Sequence, residues 1–235
     1  MSLSLKLDQF KDIILDLLFP PQCIGCGSKG SFLCSSCERS LLRLNPPFCE
    51  KCGKPLIRGS LCPTCFKQPL AAIDGIRSPF LFRDLVREAI HYFKYRNYKV
   101  LARPLGQLLA DYLASNPLPV DVLVPVPLHP KRLRQRGYNQ SSLLAMEIGR
   151  ILSLPVVKDS LVRAQNTPSQ INLRAEERRK NVQGAFKCRD ERLRGRKVIL
   201  IDDVCTTGAT LDACAKALKD IGAASVWGLT LAREI

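Results

Sequence analysis

The sequence predicts an α/β fold, a parallel sheet flanked by helices and preceded by a cysteine-rich metal module. Three observations carry that prediction. The apolar runs at 120–126, 197–201 and 224–231 show little polar alternation and are separated by segments of helical periodicity, the pattern of strands covered on both faces of a parallel sheet. Eight of the 11 cysteines fall between Cys23 and Cys65, as four CxxC pairs. The run at 197–201 ends in two adjacent acids and a small hydroxyl-rich loop, and parallel sheets bind ligands beyond the carboxyl ends of their strands.

The chain has 235 residues, 46% of them apolar, enough for one α/β domain with an appendage and ample to bury a core. Disorder is therefore not the expectation. No stretch approaches the roughly 18–20 uncharged apolar residues of a membrane span, and Asp8, Asp12 and Asp16 interrupt the first apolar pattern, which argues against a transmembrane segment or a secretory signal. A cytoplasmic protein is expected. The formal charge is +15, and residues 129–197 alone carry 17 basic against 6 acidic side chains. Such a segment points to an anionic partner, phosphates or a nucleic-acid backbone, with a solvated surface as the plainer reading.

Taken in order, residues 3–18 place Leu3, Leu7, Phe10, Ile14, Leu17 and Leu18 at helical spacing, which predicts an amphipathic helix ending at Pro20-Pro21. The knuckles follow: Cys23/Cys26, Cys34/Cys37, Cys49/Cys52 and Cys62/Cys65. Two residues between thiolates aim both sulfurs at one tetrahedral cation, and two such knuckles close a structural zinc site. The first and third knuckles read CxxCG and the others lack the glycine, so a CxxCG-loop-CxxC unit occurs twice in series. This repeat assigns one Zn²⁺ to Cys23, Cys26, Cys34 and Cys37 and a second to Cys49, Cys52, Cys62 and Cys65, with interleaved pairing as the alternative. Disulfides would need an oxidising compartment. A domain boundary is expected near residue 68, giving a helix at 1–20, a double zinc ribbon at 21–68 and an α/β domain at 69–235.

Beyond it, 71–82 reads as extended, 84–95 and 100–115 as helices, 120–126 as a strand, 139–152 as a helix, 197–201 as a buried strand, 209–221 as a helix and 224–231 as the last strand. In the stretch 198–211, each part has a physical task. The carboxylates of Asp202 and Asp203 can accept hydrogen bonds from vicinal sugar hydroxyls and help hold a divalent cation. The turn Thr206, Thr207, Gly208, Ala209 and Thr210 offers hydroxyls and backbone N–H groups at a helix N-terminus, a monophosphate site.

This stretch closely resembles the 5-phosphoribosyl pyrophosphate (PRPP) signature of type I phosphoribosyltransferases. The resemblance implies that Asp202 and Asp203 contact the ribose diol, that Thr206, Thr207, Gly208, Ala209 and Thr210 hold the 5′-phosphate, and that Mg²⁺ accompanies the ligand. Cys205, inside the motif, reads as incidental. The double zinc module together with the segment from Pro125 to His129 and the run Arg136-Gly-Tyr-Asn-Gln140 resembles the ComF family of competence-associated phosphoribosyltransferase-like proteins, over nearly the whole chain. That resemblance implies a type I phosphoribosyltransferase-like domain and a role in natural competence and DNA uptake. It places the region of Lys131, Arg132, Arg134 and Arg136 at the pyrophosphate, with Asn139 and Gln170 lining the site; guanidinium groups suit phosphate through paired donors. The expected partners are PRPP or a related phosphorylated ribose, single-stranded DNA and competence proteins. The alternative is an active PRPP-dependent transferase with an unidentified acceptor. The sequence shows no acceptor pocket and assigns no catalytic residue. His91 and His129 read as ordinary structural histidines, and the scarcity of aromatics in the basic segment favours contact with a nucleic-acid backbone over base stacking.

Overall fold

A computed structural model describes residues 20–164, 182 and 184–235, and the chain divides into two compact units, 1–41 and 42–235. The predicted helix at 3–18 and Gln170 lie outside the described residues.

Within the first unit, the Cys23 knuckle closes on itself: Gly27 N–H donates to the Cys23 carbonyl at 2.8 Å and Cys23 N–H to the Ser28 carbonyl at 2.8 Å. Gly27 takes φ +74°, a left-handed value that glycine adopts without steric cost. The second knuckle opens the short helix α1 (Ser35–Arg39), with Cys34 as its N-cap.

In the second unit the other two knuckles come first, the last of them opening α2 (Pro63–Lys67) with proline in its first turn. The α/β elements follow in chain order: β1 (Gly75–Arg77), β2 (Phe80–Leu81), α3 (Asp84–Tyr95), a 3-10 turn (Lys99–Leu101), α4 (Ala102–Ser115), β3 (Val122–Pro125), α5 (Pro130–Arg136), α6 (Gln140–Leu152), β4 (Leu161–Arg163), β5 (Phe186–Cys188), β6 (Lys197–Cys205), α7 (Ala209–Asp220) and β7 (Ser225–Arg233). The sheet runs β1-β7-β6-β3, with β2 also on β7. Every pair in it is parallel. A separate antiparallel pair joins β4 and β5.

The apolar runs become the centre of this sheet for the reason the sequence gives. Along β6, Val198 and Leu200 share one core cluster with Leu211, Cys214, Ala215 and Leu218 of α7. Ile199 and Ile201, also fully buried, have the opposite parity and so face the other side. Burying a side chain of this size stabilises the fold by roughly 1.5–3 kcal/mol.

Strand β6 runs four residues beyond the expected end at 201. Asp202 pairs with Thr230, Val204 with Ala232 and Cys205 with Arg233 in unbroken parallel register with β7. Backbone hydrogen bonding to a long neighbour thus outweighs the polar side chains that read as a strand end. Helix α5 was not predicted as a helix, although its signals are present: His129 Nδ1 accepts from Lys131 N–H at 3.2 Å as the N-cap, Pro130 takes the first position, and Gly137 closes it with φ +80°. Asn139 caps α6, its Oδ1 accepting from Ser141 N–H at 3.1 Å. Among the described residues no helix is long and apolar enough to cross a membrane.

Candidate functional site

The carboxyl ends of β3 and β6, the C-terminal half of α3 and helix α5 enclose a cavity of about 1150 Å³. Asp202, Asp203, Thr206, Thr207, Gly208, Ala209 and Thr210 all line it, as do Arg132, Arg134 and Arg136. The loop 206–210 and the basic helix, about seventy residues apart in sequence, therefore face one space. Asn139 is not among the lining residues. Its amide donates to the Val126 carbonyl at 3.0 Å while its oxygen caps α6, so the whole side chain is spent on joining α6 to the end of β3.

The loop 206–210 turns tightly into α7. Gly208 holds φ +84° as the residue before α7, and a Cβ there would lie 2.9 Å from Leu70 Cδ1 and 3.0 Å from Ile76 Cδ1. The backbone angle therefore favours glycine, and a side chain there would have to displace the Leu70 and Ile76 methyl groups. Thr207 Oγ1 accepts from Ala209 N–H at 3.2 Å, turning the loop into the helix. The start of α7 is fixed in turn by Asp212, whose Oδ1 accepts from the N–H groups of Ala72 and Ile73 at 2.9 and 3.0 Å.

The two acids have different surroundings. Asp202 Oδ1 accepts from the Ser141 hydroxyl at 2.8 Å and from Asp203 N–H at 2.9 Å. Burial first, and the charge of Asp203 second, push its carboxyl up to about 7, against the pull of Lys94 and the Ser141 bond. Asp203 is buried, with one oxygen 2.7 Å from Lys94 Nζ and the other without a hydrogen-bond partner.

Opposite them the cations crowd one another. Burial and then the charge of Arg163 hold His129 below its ordinary value, with Arg132 adding to the effect. Burial and then Arg136 lower Arg132, and burial and then Arg132 lower Arg163. Mutual repulsion of this kind is what an anion relieves. Arg136 donates to Gln140 Oε1 and stacks over the Tyr95 ring at 5.5 Å, which fixes its fork at the cavity wall. Sequence reasoning missed Lys94, Ser141 and Arg163, which carry no motif. It also missed the α3 wall of Arg87, His91 and Tyr95, because only the fold brings α3 to the end of β6.

The cysteines separate into the two sets that the repeat predicts. The ligand atoms of Cys23, Cys26, Cys34 and Cys37 lie within 4.8 Å of one another, and so do those of Cys49, Cys52, Cys62 and Cys65. Four thiolates about 2.3 Å from Zn²⁺ stand about 3.8 Å apart at tetrahedral angles. The Cys26–Cys34 and Cys52–Cys62 sulfur distances are 3.7 and 3.6 Å. Both sets fit structural Zn²⁺. At the second, the buried Arg233 guanidinium acts on Cys52 by its charge and donates to Cys205 Sγ, yet its Nε has no partner; a tetrathiolate zinc with formal charge −2 supplies an anion beside it.

Comparison with known proteins agrees with both halves. A double zinc ribbon domain model matches residues 14–66 and a phosphoribosyl transferase domain model matches residues 139–234. Competence protein F of Haemophilus influenzae is 33% identical over 213 residues, covering 85% of this chain and 90% of the relative. A DNA utilization protein, YhgH, of Escherichia coli is 31% identical over 215 residues, covering 86% and 91%. Competence protein ComFC of Bacillus subtilis is 30% identical over 209 residues, covering 86% and 84%.

Proposed function

The chain belongs to the ComF family of competence proteins, and from that membership we propose that it binds PRPP or a related phosphorylated ribose in the β6 cavity and handles incoming single-stranded DNA during natural competence. The observation that carries the ligand reading is the convergence of Asp202, Asp203 and the loop 206–210 on the same cavity as Arg132, Arg134 and Arg136. In this reading the 5′-phosphate sits on the loop N–H groups at the start of α7, the diol meets the acid pair, and the α5 guanidinium groups take the pyrophosphate. The donor set at the acids is hard oxygen, which suits Mg²⁺; Asp202 and Asp203 would hold that ion, which would neutralise pyrophosphate charge. The residues of the chain orient the sugar and exclude water from its acid-facing edge.

The DNA reading is supported by the basic helix α5, on which Lys131 and Arg134 are exposed, and by the names of the relatives. A second reading, transfer of the phosphoribosyl group to an acceptor, is favoured by the size of the cavity: 1150 Å³ exceeds a phosphoribosyl group, and the α3 wall adds His91, Tyr95 and Arg87 to its lining. Transfer would break the bond from C1 to the pyrophosphate oxygen and form one from C1 to the acceptor.

Calorimetric titration of PRPP with Mg²⁺ into the zinc-loaded protein tests the ligand site. Saturable binding that disappears in the Asp202→Asn/Asp203→Asn double variant is expected; absence of binding by folded wild-type protein overturns the reading. For DNA, log affinity for an oligonucleotide should fall steeply with log salt, and replacing Arg132, Arg134 and Arg136 by Ala should reduce the slope by about two to three. A slope that does not change removes α5 from the interface.

A further inference from the structure

Lys94 lies in the last turn of α3, outside the segment 139–234 that matches the phosphoribosyl transferase domain. The fold nevertheless delivers its ammonium to the acid pair, 2.7 Å from Asp203 Oδ1, with both side chains largely buried. Asp203 is thereby divided: one oxygen belongs to Lys94 and the other is buried beside the cavity with no donor. Asp202 is held from elsewhere, by Ser141 of α6 and the Asp203 N–H.

We propose that Lys94 is a positioning residue that fixes Asp203 for recognition of a ribose diol, and so sets the preference of the cavity for ribose over 2-deoxyribose phosphates. The inference rests on the reading that a phosphorylated ribose occupies the cavity, and it names the residue that makes the sugar edge selective. A carboxylate with one oxygen pinned by an ammonium has a single orientation, and its second oxygen accepts from one hydroxyl. A sugar lacking that hydroxyl leaves a buried acceptor unpaired, which costs far more than a hydrogen bond exchanged with water. Without the ammonium the carboxylate is free to turn, and the missing hydroxyl is no longer felt. The loop at 206–210 is built through Leu70, Ile76 and Asp212, so its geometry does not pass through Lys94.

The test uses zinc-loaded wild-type, Lys94→Met and Lys94→Arg proteins, titrated with ribose 5-phosphate, 2-deoxyribose 5-phosphate and inorganic phosphate without added Mg²⁺. Wild type should prefer ribose 5-phosphate over the deoxy sugar by about tenfold or more, on the cost of one unpaired buried acceptor. Lys94→Met should compress that preference to within about threefold, and Lys94→Arg should restore part of it. A folded Lys94→Met protein that keeps the full preference overturns the inference, whatever its affinity for inorganic phosphate.

If folded wild type binds neither sugar phosphate, the ligand reading fails and the inference falls with it. If wild type binds both sugars with equal affinity, the ligand reading stands and the role given to Lys94 alone is overturned.

Discussion

The two cysteine clusters are twins in sequence and opposites in setting. In the first, Cys23 is buried, Cys26 is exposed, and Cys34 and Cys37 are half-buried; the cluster belongs to the small unit 1–41. In the second, all four cysteines are at most 4% exposed and belong to one hydrophobic cluster with Leu70, Ile73, Ile76, Cys205, Ala209 and Leu211. The Cys49/Cys52 knuckle also spends its polar groups on the sheet. Ile76 N–H donates to the Lys51 carbonyl at 2.9 Å, Arg77 Nη1 donates to the Glu50 carbonyl at 3.1 Å, and Lys51 Nζ donates to the Ile73 carbonyl at 3.2 Å. Since Leu70 and Ile76 are also the residues that a Cβ on Gly208 would meet, one hydrophobic cluster joins the cysteines to the loop 206–210. The difference teaches that a CxxC repeat specifies metal chemistry, while its surroundings decide whether the metal holds only its own loops or the core behind a ligand site.

The largest expected effect follows from removing one ligand from each cluster. Zinc binding to such sites is worth on the order of 10 kcal/mol in isolated peptides, and that energy is folding energy. In Cys52→Ser the loss falls on the core shared with β1 and α7, so the 42–235 unit should lose its cooperative thermal transition, or melt by tens of degrees lower at about 2–4 °C per kcal/mol, and PRPP binding should vanish with it. In Cys26→Ser the same unit should melt within about 3 °C of wild type and keep its ligand affinity. Differential scanning calorimetry with a zinc assay on both variants measures this directly. Equal losses in the two would abolish the distinction drawn between the clusters.

The same contrast explains what was legible in the sequence. Local signals were read correctly because their physics is local: CxxC spacing fixes sulfur geometry, the apolar runs at 197–201 and 224–231 became the central strands β6 and β7, and the small loop after the paired acids became the entrance to α7. What escaped was set by long-range contact. The continuation of β6 to Cys205 depends on eight paired positions with β7, and the delivery of Lys94 to Asp203 spans more than a hundred residues. Asn139 carried an ambiguous signal, since a residue that caps a helix and one that meets a ligand look alike in sequence; the fold commits its side chain to α6 and Val126. The burial of the second cluster was equally invisible, because the two CxxCG units differ in nothing that encodes what covers them.

The glycine after the first CxxC of each cluster isolates that difference at the scale of one methyl group. Gly27 and Gly53 have nearly the same left-handed backbone, φ +74° and +70°, so replacing either by Ala costs the same local strain, about 1–2 kcal/mol. Around Gly27 a Cβ would meet nothing within 4 Å, whereas at Gly53 it would lie 2.4 Å from the Ile76 carbonyl oxygen. That contact is with backbone, and the strand carrying it is tied to Lys51 and to Trp227 of β7, so relief requires shifting β1 itself. Gly53→Ala should therefore lose roughly 2–3 kcal/mol more than the strain alone, in the range of overpacked cores, and weaken phosphate binding because Ile76 also packs on Gly208. Gly27→Ala should leave the melting of the 42–235 unit and its phosphate affinity unchanged. Urea unfolding of both variants, with inorganic phosphate titrations alongside, gives the two numbers; a Gly53→Ala protein no less stable than Gly27→Ala would mean that the Cys49/Cys52 knuckle rests on the sheet without being held by it.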